Sequence, residues 1–313
     1  MKAITYTRFG LPDVLQLKDV PQPAPRPTEL LVRIHASTVC KEDPDMRRAP
    51  GYNGLWKPAN PILGQEFAGE VVEIGAGVTD FKPGDRVYGI DAFGAYAEYK
   101  CLSAKGALAL MPAGLTYAEA ASLPNGALTA LPFLRDHGRI RAGQTVLIHG
   151  ASGSVGTAAV QLANAFGAEV TAVCSTSNLE LVRSLGATHV VDYTEQDFTR
   201  SGLTYDVIFD AVGKLPFSQC RTSLTDTGVY LTVFPRLEAL LSAPWARQKA
   251  RFAATGLRSA TQKAGDLRVI NDLIDAGRFR AVIDRRYPLA QVADAHRYVE
   301  SGHKKGNVVI TVC

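Results

Sequence analysis

Residues 150–156 read Gly-Ala-Ser-Gly-Ser-Val-Gly, a run suited to letting the backbone lie close to a diphosphate. Glycines remove the Cβ atoms that hold a ligand off the main chain, and the amides that open a following helix carry partial positive charge. The amides of Ser152, Gly153, Ser154, Val155 and Gly156 are therefore candidate phosphate donors. Apolar Val146, Leu147 and Ile148 before the run predict a strand, Thr145 to His149. Val160, Leu162, Ala163 and Phe166 then recur at helical spacing, predicting a helix from Thr157 to Phe166 with Gly167 as its stop, and Glu169 to Cys174 reads as a second strand. One feature departs from G-x-G-x-x-G: Ala151 takes the first glycine position and Gly150 is displaced by one. A tight strand-to-helix turn without a ligand is the alternative, but the order of the flanking elements favours a dinucleotide.

The second strand ends in Val173-Cys174-Ser175-Thr176-Ser177-Asn178, with no acid to hold an adenosine ribose. A carboxylate ~4 Å from a 2′-phosphate would cost about 4 kcal/mol at an effective dielectric near 20. Without it NADPH is admitted, and the hydroxyls of Ser175, Thr176 and Ser177, with Asn178, can donate to the extra phosphate. NADPH is expected over NADH; the competing role for Ser177 or Asn178 is to cap the next helix.

These residues need a scaffold, and the chain is long enough for two domains at 313 residues. From Lys2 to about Lys100, short alternating strands and turns, with prolines at 21, 23, 25 and 27, suggest a small barrel. Alanine and leucine at helical spacing around Thr116 to Arg135 mark a second domain. After the glycine unit follow a helix (Leu179 to Leu185) and strands at His189–Asp192, Tyr205–Ala211 and Gly228–Phe234, an alternation that indicates a parallel sheet. Phe279–Asp284 and Val308–Val312 are expected strands flanking a helix, the last one suited to rejoin the first domain.

Composition excludes several classes. The chain is 46% hydrophobic and 20% charged, and its net charge of +4 is too small to imply nucleic acid. Five cysteines, at 40, 101, 174, 220 and 313, are odd in number and widely spaced, fitting neither a disulfide framework nor a metal knuckle. With no apolar leader at the N-terminus and no run of ~18 apolar residues, a cytoplasmic protein without integral membrane association is expected. Between Arg236 and Arg268 seven Lys or Arg residues face only Glu238 and Asp266, with Trp245 and Phe252 among them. The segment reads as a solvated helix pair, or as a dock for an acidic carrier or membrane surface.

The ordered motifs resemble the medium-chain dehydrogenase/reductase superfamily, in its zinc-free quinone oxidoreductase and enone reductase branch. They are Gly64-Gln65-Glu66-Phe67-Ala68-Gly69-Glu70-Val71, Pro83-Gly84-Asp85-Arg86-Val87, Leu128-Thr129-Ala130, the 151–156 turn, Leu185-Gly186-Ala187, Asp192-Tyr193, Asp210-Ala211-Val212-Gly213, Ile283-Asp284-Arg285 and Gly302-His303-Lys304-Lys305-Gly306. The resemblance implies an α/β chain: a GroES-like β-barrel (residues 1–118 and 265–313) for substrate and catalysis, and a Rossmann doubly wound parallel sheet (119–264) for the dinucleotide. It implies a homodimer, and it places Thr129, Val212, Gly213, Phe234 and Tyr193 beside the cofactor, with Asn307 where a lysine is usual.

Cys40 falls where zinc-dependent relatives place a first metal ligand. Catalytic zinc needs three protein ligands, and the partner position is Gln65, so no metal is expected. The remaining chemistry is hydride delivery from NADPH to a quinone or an α,β-unsaturated carbonyl, whose oxygen then needs a donor. Tyr52, which resembles the family's cleft tyrosine, and Cys40 are the catalytic candidates, with Asn53 and Lys57 as substitutes. An enoyl-thioester reductase, or a redox-sensing module that binds NADPH without turnover, remain the other readings.

Overall fold

The computed structural model describes residues 1–234 and 248–312. Internal contacts divide the chain into Met1–Asn125 with Ser259–Asp275 and Arg280–Cys313, and Gly126–Arg258 with Ala276–Phe279. Against the boundaries expected at 118/119 and 264/265, the first unit is larger. Helix Tyr117–Ala121, closed by a capping box between Thr116 and Glu119, packs on this unit's strands. A cut at 264/265 would also sever helix Ala260–Asp275, which bonds Tyr88 and the Leu110 carbonyl through Asn271.

The second unit is a six-stranded, all-parallel sheet in the order His189–Asp192, Glu169–Cys174, Thr145–His149, Tyr205–Asp210, Leu224–Thr232, Lys249–Phe252. The chain enters in the middle, winds outward, and returns to wind the other way, so its order reverses between Thr145–His149 and Tyr205–Asp210. Ligands of such sheets bind outside the strands' carboxyl ends at that reversal. Val146, Leu147, Ile148, Ile208 and Phe209 are fully buried, as a sheet covered on both faces requires.

Three expected bounds shift here. The helix after the glycine turn runs Ser154–Ala165, starting three residues before Thr157. Leu224–Thr232 starts four residues before Gly228. Lys249–Phe252, expected within a helix pair, is the edge strand: Ala250 joins the core beside Leu224 and Tyr230, and Arg251 donates to the His137 carbonyl. A short basic run carries too little periodicity to reveal this. Arg236, Glu238, Trp245 and Arg247 of the same basic stretch lie outside the described residues.

The first unit is organised on the long strand Glu29–Thr38. One edge pairs with Glu66–Ile74; the other pairs with Tyr99–Ser103 along its first half and with Asn307–Thr311 along its second. Register shifts after Leu31 and Ile34 mark bulges, which bend a strand. Arg86–Ile90 and Leu108–Leu110 extend the sheet. Asn307–Thr311 does rejoin this domain, and Ile283–Pro288 pairs with it in parallel. The strand expected at Phe279–Asp284 is displaced to Ile283–Pro288, because the Val282 carbonyl is taken by the Asn307 amide before the ladder begins.

Helices Glu42–Arg48 and Val292–Glu300 close this unit around a cation. Arg47 is fully buried; it pairs with Glu300 at 2.8 Å, donates to the Gly10 carbonyl at 3.0 Å, and lies 3.3 Å from His296 Nδ1. Burial and the Arg47 charge push the His296 pKa down to about 3, so the imidazole is neutral. Burial would raise the Glu300 carboxyl, but Arg47 and Arg48 outweigh it and hold it below its ordinary 4.5. Glu300→Ala strands a buried guanidinium and is expected to cost about 3 kcal/mol in urea unfolding at pH 7. Since the folded pKa is depressed, the pairing stabilises above the unfolded value and fades as pH falls through the folded one, so the difference between the two proteins should shrink progressively as pH falls below 4.5.

Candidate active site

The glycine turn contains two positions that a side chain could not occupy. A Cβ on Gly156 would stand 2.1 Å from the Gly150 carbonyl oxygen, and one on Gly150, at φ +78°, would stand 2.1 Å from Val212 Cγ2. Gly153 is the helix N-cap and adds no side-chain cap. The working spacing is thus Gly150-x-x-Gly153-x-x-Gly156, while Ala151 is buried with its amide on the Val173 carbonyl at 3.0 Å. The first-turn amides of a helix have no preceding carbonyl to bind. Here they open at the carboxyl ends of parallel strands, beside three glycines that carry no Cβ, and a diphosphate fits there.

All the other expected cofactor residues of this sheet follow strand ends on the same edge. Ser175 opens the 3-10 turn Thr176–Asn178, and Thr176 and Ser177 are exposed. Asn178 is buried instead: its amide donates to Ser152 Oγ at 3.1 Å and Ser175 Oγ at 3.0 Å, tying the two loops together. Tyr193 is exposed, with its amide on the Cys174 carbonyl. Sheet register also sets an acid, Asp192, beside Cys174, which reading along a single strand misses. Hydrogen bonds from Thr176 and Thr194 hold Asp192 below the usual carboxylate range, but it is buried and caps its own turn through Thr194 N at 2.9 Å.

On the other side of the reversal, buried Asp210 accepts from Val212 N, Gly213 N and Leu215 N at 3.2, 3.0 and 2.9 Å, and lies 2.9 Å from His149 Nδ1. Burial pushes its pKa up, yet these donors outweigh burial and keep it ionised. Asp210 thereby sets Gly213 at φ +75°, where a Cβ would strike Phe234 Cδ2 at 2.2 Å. Neither His149 nor Asp210 was among the expected site residues, although Asp210 opens a quoted motif; each ends a strand at the reversal. Thr129 is half-buried in helix Pro124–Pro132.

In the first unit Cys40 belongs to a buried polar cluster centred on Glu66. One Glu66 oxygen accepts from the Thr38 hydroxyl and from Cys40 Sγ at 3.1 Å; the other accepts from the Asn125 amide at 2.7 Å. Burial, reinforced by the charges of Glu66 and Asp43, pushes the Cys40 pKa far up, so it stays a thiol. Asp43 accepts from Cys40 N at 2.9 Å and Tyr96 Oη at 3.0 Å, and burial pushes its pKa up to about 7 despite those bonds.

Tyr52 is 76% exposed on a loop, its ring 5.8 Å from that of Phe93. Two other expected site residues are spent on the fold. Asn53 is buried and spans Tyr6 Oη and the Asn60 carbonyl, so it fixes the Tyr52 loop and does not face a substrate. Asn307 is buried with its amide on the Val282 carbonyl at 3.2 Å. Among the described residues no three His, Cys, Asp or Glu side chains gather as a metal site.

Gly156→Ala is expected to abolish the rise in melting temperature that a dinucleotide induces. Gly153→Ala, whose Cβ would find no protein atom nearer than the Gly150 oxygen at 3.7 Å, should leave the fold intact and weaken that rise only by crowding the diphosphate.

Two family models match the chain: an alcohol dehydrogenase GroES-like domain over residues 26–132 and a zinc-binding dehydrogenase over 185–310. An Arabidopsis thaliana protein described as a chloroplastic NADPH-dependent alkenal/one oxidoreductase is 33% identical over 99% of this chain and 79% of its own length. The quinone oxidoreductase of Coxiella burnetii superposes with a TM-score of 0.87 at 32% identity, covering 100% of this chain and 99% of that one. The Escherichia coli quinone oxidoreductase solved with NADPH gives 0.86 at 25% identity, covering 100% of both chains. With its antiparallel GroES-like domain, its doubly wound parallel sheet and these relatives, the chain belongs to the medium-chain dehydrogenase/reductase superfamily, in the zinc-free quinone oxidoreductase and enone reductase branch.

Proposed function

We propose that this protein is an NADPH-dependent, zinc-independent oxidoreductase that reduces quinones or α,β-unsaturated carbonyl compounds. The observation that carries the reading is the glycine corner at the sheet reversal, where packing forbids a Cβ at Gly150 and Gly156 beside the opening of a helix. It is supported by the alkenal/one and quinone oxidoreductases among the relatives. Bound NADPH supplies a hydride to the electrophilic carbon of the acceptor.

The chain's own residues bind and orient. Amides of residues 152–156 take the diphosphate, and the hydroxyls of Ser175, Thr176 and Ser177 take the 2′-phosphate. Tyr193 flanks the adenosine, while Thr129, Val212, Gly213 and Phe234 border the nicotinamide. Cys40 shapes the acceptor's place without giving up its proton, since its thiol is committed to Glu66. Tyr52 orients the acceptor from its loop. Gln65 offers no thiolate, imidazole or carboxylate beside Cys40, which favours chemistry without zinc. The first unit serves as substrate domain and the second as dinucleotide domain, in a cytoplasmic homodimer; among the described residues no helix is long and apolar enough to cross a membrane.

The enoyl-thioester alternative leaned on carrier docking by the basic stretch. It loses ground because Arg251 is engaged with the His137 carbonyl and Arg258 approaches Asp136 at 3.9 Å.

NADPH oxidation measured with a benzoquinone, a short enone and a crotonyl thioester is expected to show turnover with the first two. Thr176→Asp should weaken NADPH by up to roughly a thousandfold while sparing NADH. Turnover with the thioester alone, or equal catalytic efficiency with NADH and NADPH, would contradict the reading.

A further inference from the structure

The turn at residues 302–306 brings a cation to the Cys40 cluster. Val309 pairs with Thr38 in antiparallel register, and Val39 N donates to the Val308 carbonyl at 2.9 Å. The segment before Asn307 therefore runs back past the residues that follow Val39. Within it the half-buried Lys304 folds its Nζ onto the Gly306 carbonyl at 2.7 Å. An ammonium has three N–H donors, and the other two have no partner among the described residues. Burial lowers the Lys304 pKa, while the carboxylate charges of Glu66, Glu42 and Asp284 pull it back up. Among the described residues no ion pair joins Lys304 to Glu66, whose oxygens accept from Thr38, Cys40 and Asn125.

We propose that Lys304 is a catalytic residue of this site: its ammonium meets the negative charge that develops on the acceptor's oxygen and protonates it. The inference rests on the reductase reading above and assigns its missing acid. As the new C–H bond forms at the electrophilic carbon of an enone, the C=C electron pair shifts and leaves an enolate oxygen. An N–H bond of Lys304 then breaks, its proton forms the O–H bond of the enol, and the neutral amine regains a proton from water. The enol tautomerises to the saturated ketone. A quinone follows the same course, the hydride electrons reducing the ring and the Lys304 proton completing the hydroquinone.

Cys40 is the poorer acid because its thiol is held in a negative, desolvated setting. Burial lowers the Lys304 pKa from its ordinary 10.5, which makes its ammonium the readier proton donor. The chain thus supplies near its end the positive charge that Asn307 cannot, from three residues earlier.

The test compares wild type with Lys304→Met and Lys304→Arg, using 4-nitrophenolate as a mimic of the charged oxygen and reading its visible absorption on protein without cofactor. Nitrophenolate affinity is expected to fall about tenfold in Lys304→Met and to recover in Lys304→Arg, and kcat for an enone to fall roughly a hundredfold in Lys304→Met. The alkaline limb of the wild-type kcat profile should disappear in Lys304→Met, while the NADPH-induced rise in melting temperature, which also reports folding, stays unchanged. Equal nitrophenolate affinity in wild type and Lys304→Met would overturn the proposal whatever the turnover. An affinity difference in a protein that reduces none of the acceptors would uphold the anion site at Lys304 and defeat the reductase reading instead.

Discussion

Gly156 and the carbonyl of Gly150 approach so closely that no Cβ fits between them, and most of the cofactor side of this molecule follows from that contact. The approach forces the chain to turn from strand to helix within four residues, which starts the helix at Ser154 and aims its first amides outward from the sheet. It also presses Gly150 against Val212, so the two loops at the sheet reversal are set as a pair. Asp210 then fixes the second loop by taking three of its amides, and Gly213 gives Phe234 its seat. A diphosphate site of this kind depends on absent atoms, and backbone geometry preserves it with few side-chain contacts.

The first unit solves a different problem, which is to keep polar groups satisfied where water is excluded. Glu66 and Asp43 are buried carboxylates, costly unless hydrogen-bonded. Glu66 meets that cost through the Thr38 hydroxyl, the Cys40 thiol and the Asn125 amide, and Asp43 through Cys40 N and Tyr96. The cluster holds Cys40 in one orientation and fixes the end of the segment that leads into helix Pro124–Pro132. The same hydrogen bonds that make Cys40 well ordered remove it as an acid, so position in a motif and chemical competence separate here.

How much was legible differs between the units. Strand Glu169–Cys174 was readable to the residue, because Val170 to Cys174 is a continuous buried run; His189–Asp192, half-exposed at the sheet edge, was readable from the paired Val190 and Val191. The edge strand Lys249–Phe252 was not, since Ala250 and Phe252 alternating with two basic side chains over four residues make too short a pattern to tell a strand from a helix. Asn53 and Asn307 looked like available amides in the sequence; folding buried both and gave their hydrogen bonds to Tyr6, Asn60 and Val282. Nothing in a one-dimensional pattern separates an asparagine that faces a ligand from one that braces a loop.

The sequence by itself determined the two architectures, the glycine corner and the family, because glycine spacing, apolar periodicity and turn chemistry are local and leave their mark on neighbouring residues. The tertiary structure alone decided which polar groups remain available. Asp192 beside Cys174, His149 beside Asp210, and Val309 beside Thr38 are all products of strand register. Register joins residues up to hundreds of positions apart, and whether a side chain is a donor, a brace or a charge depends on which neighbours it meets there and how much water they leave.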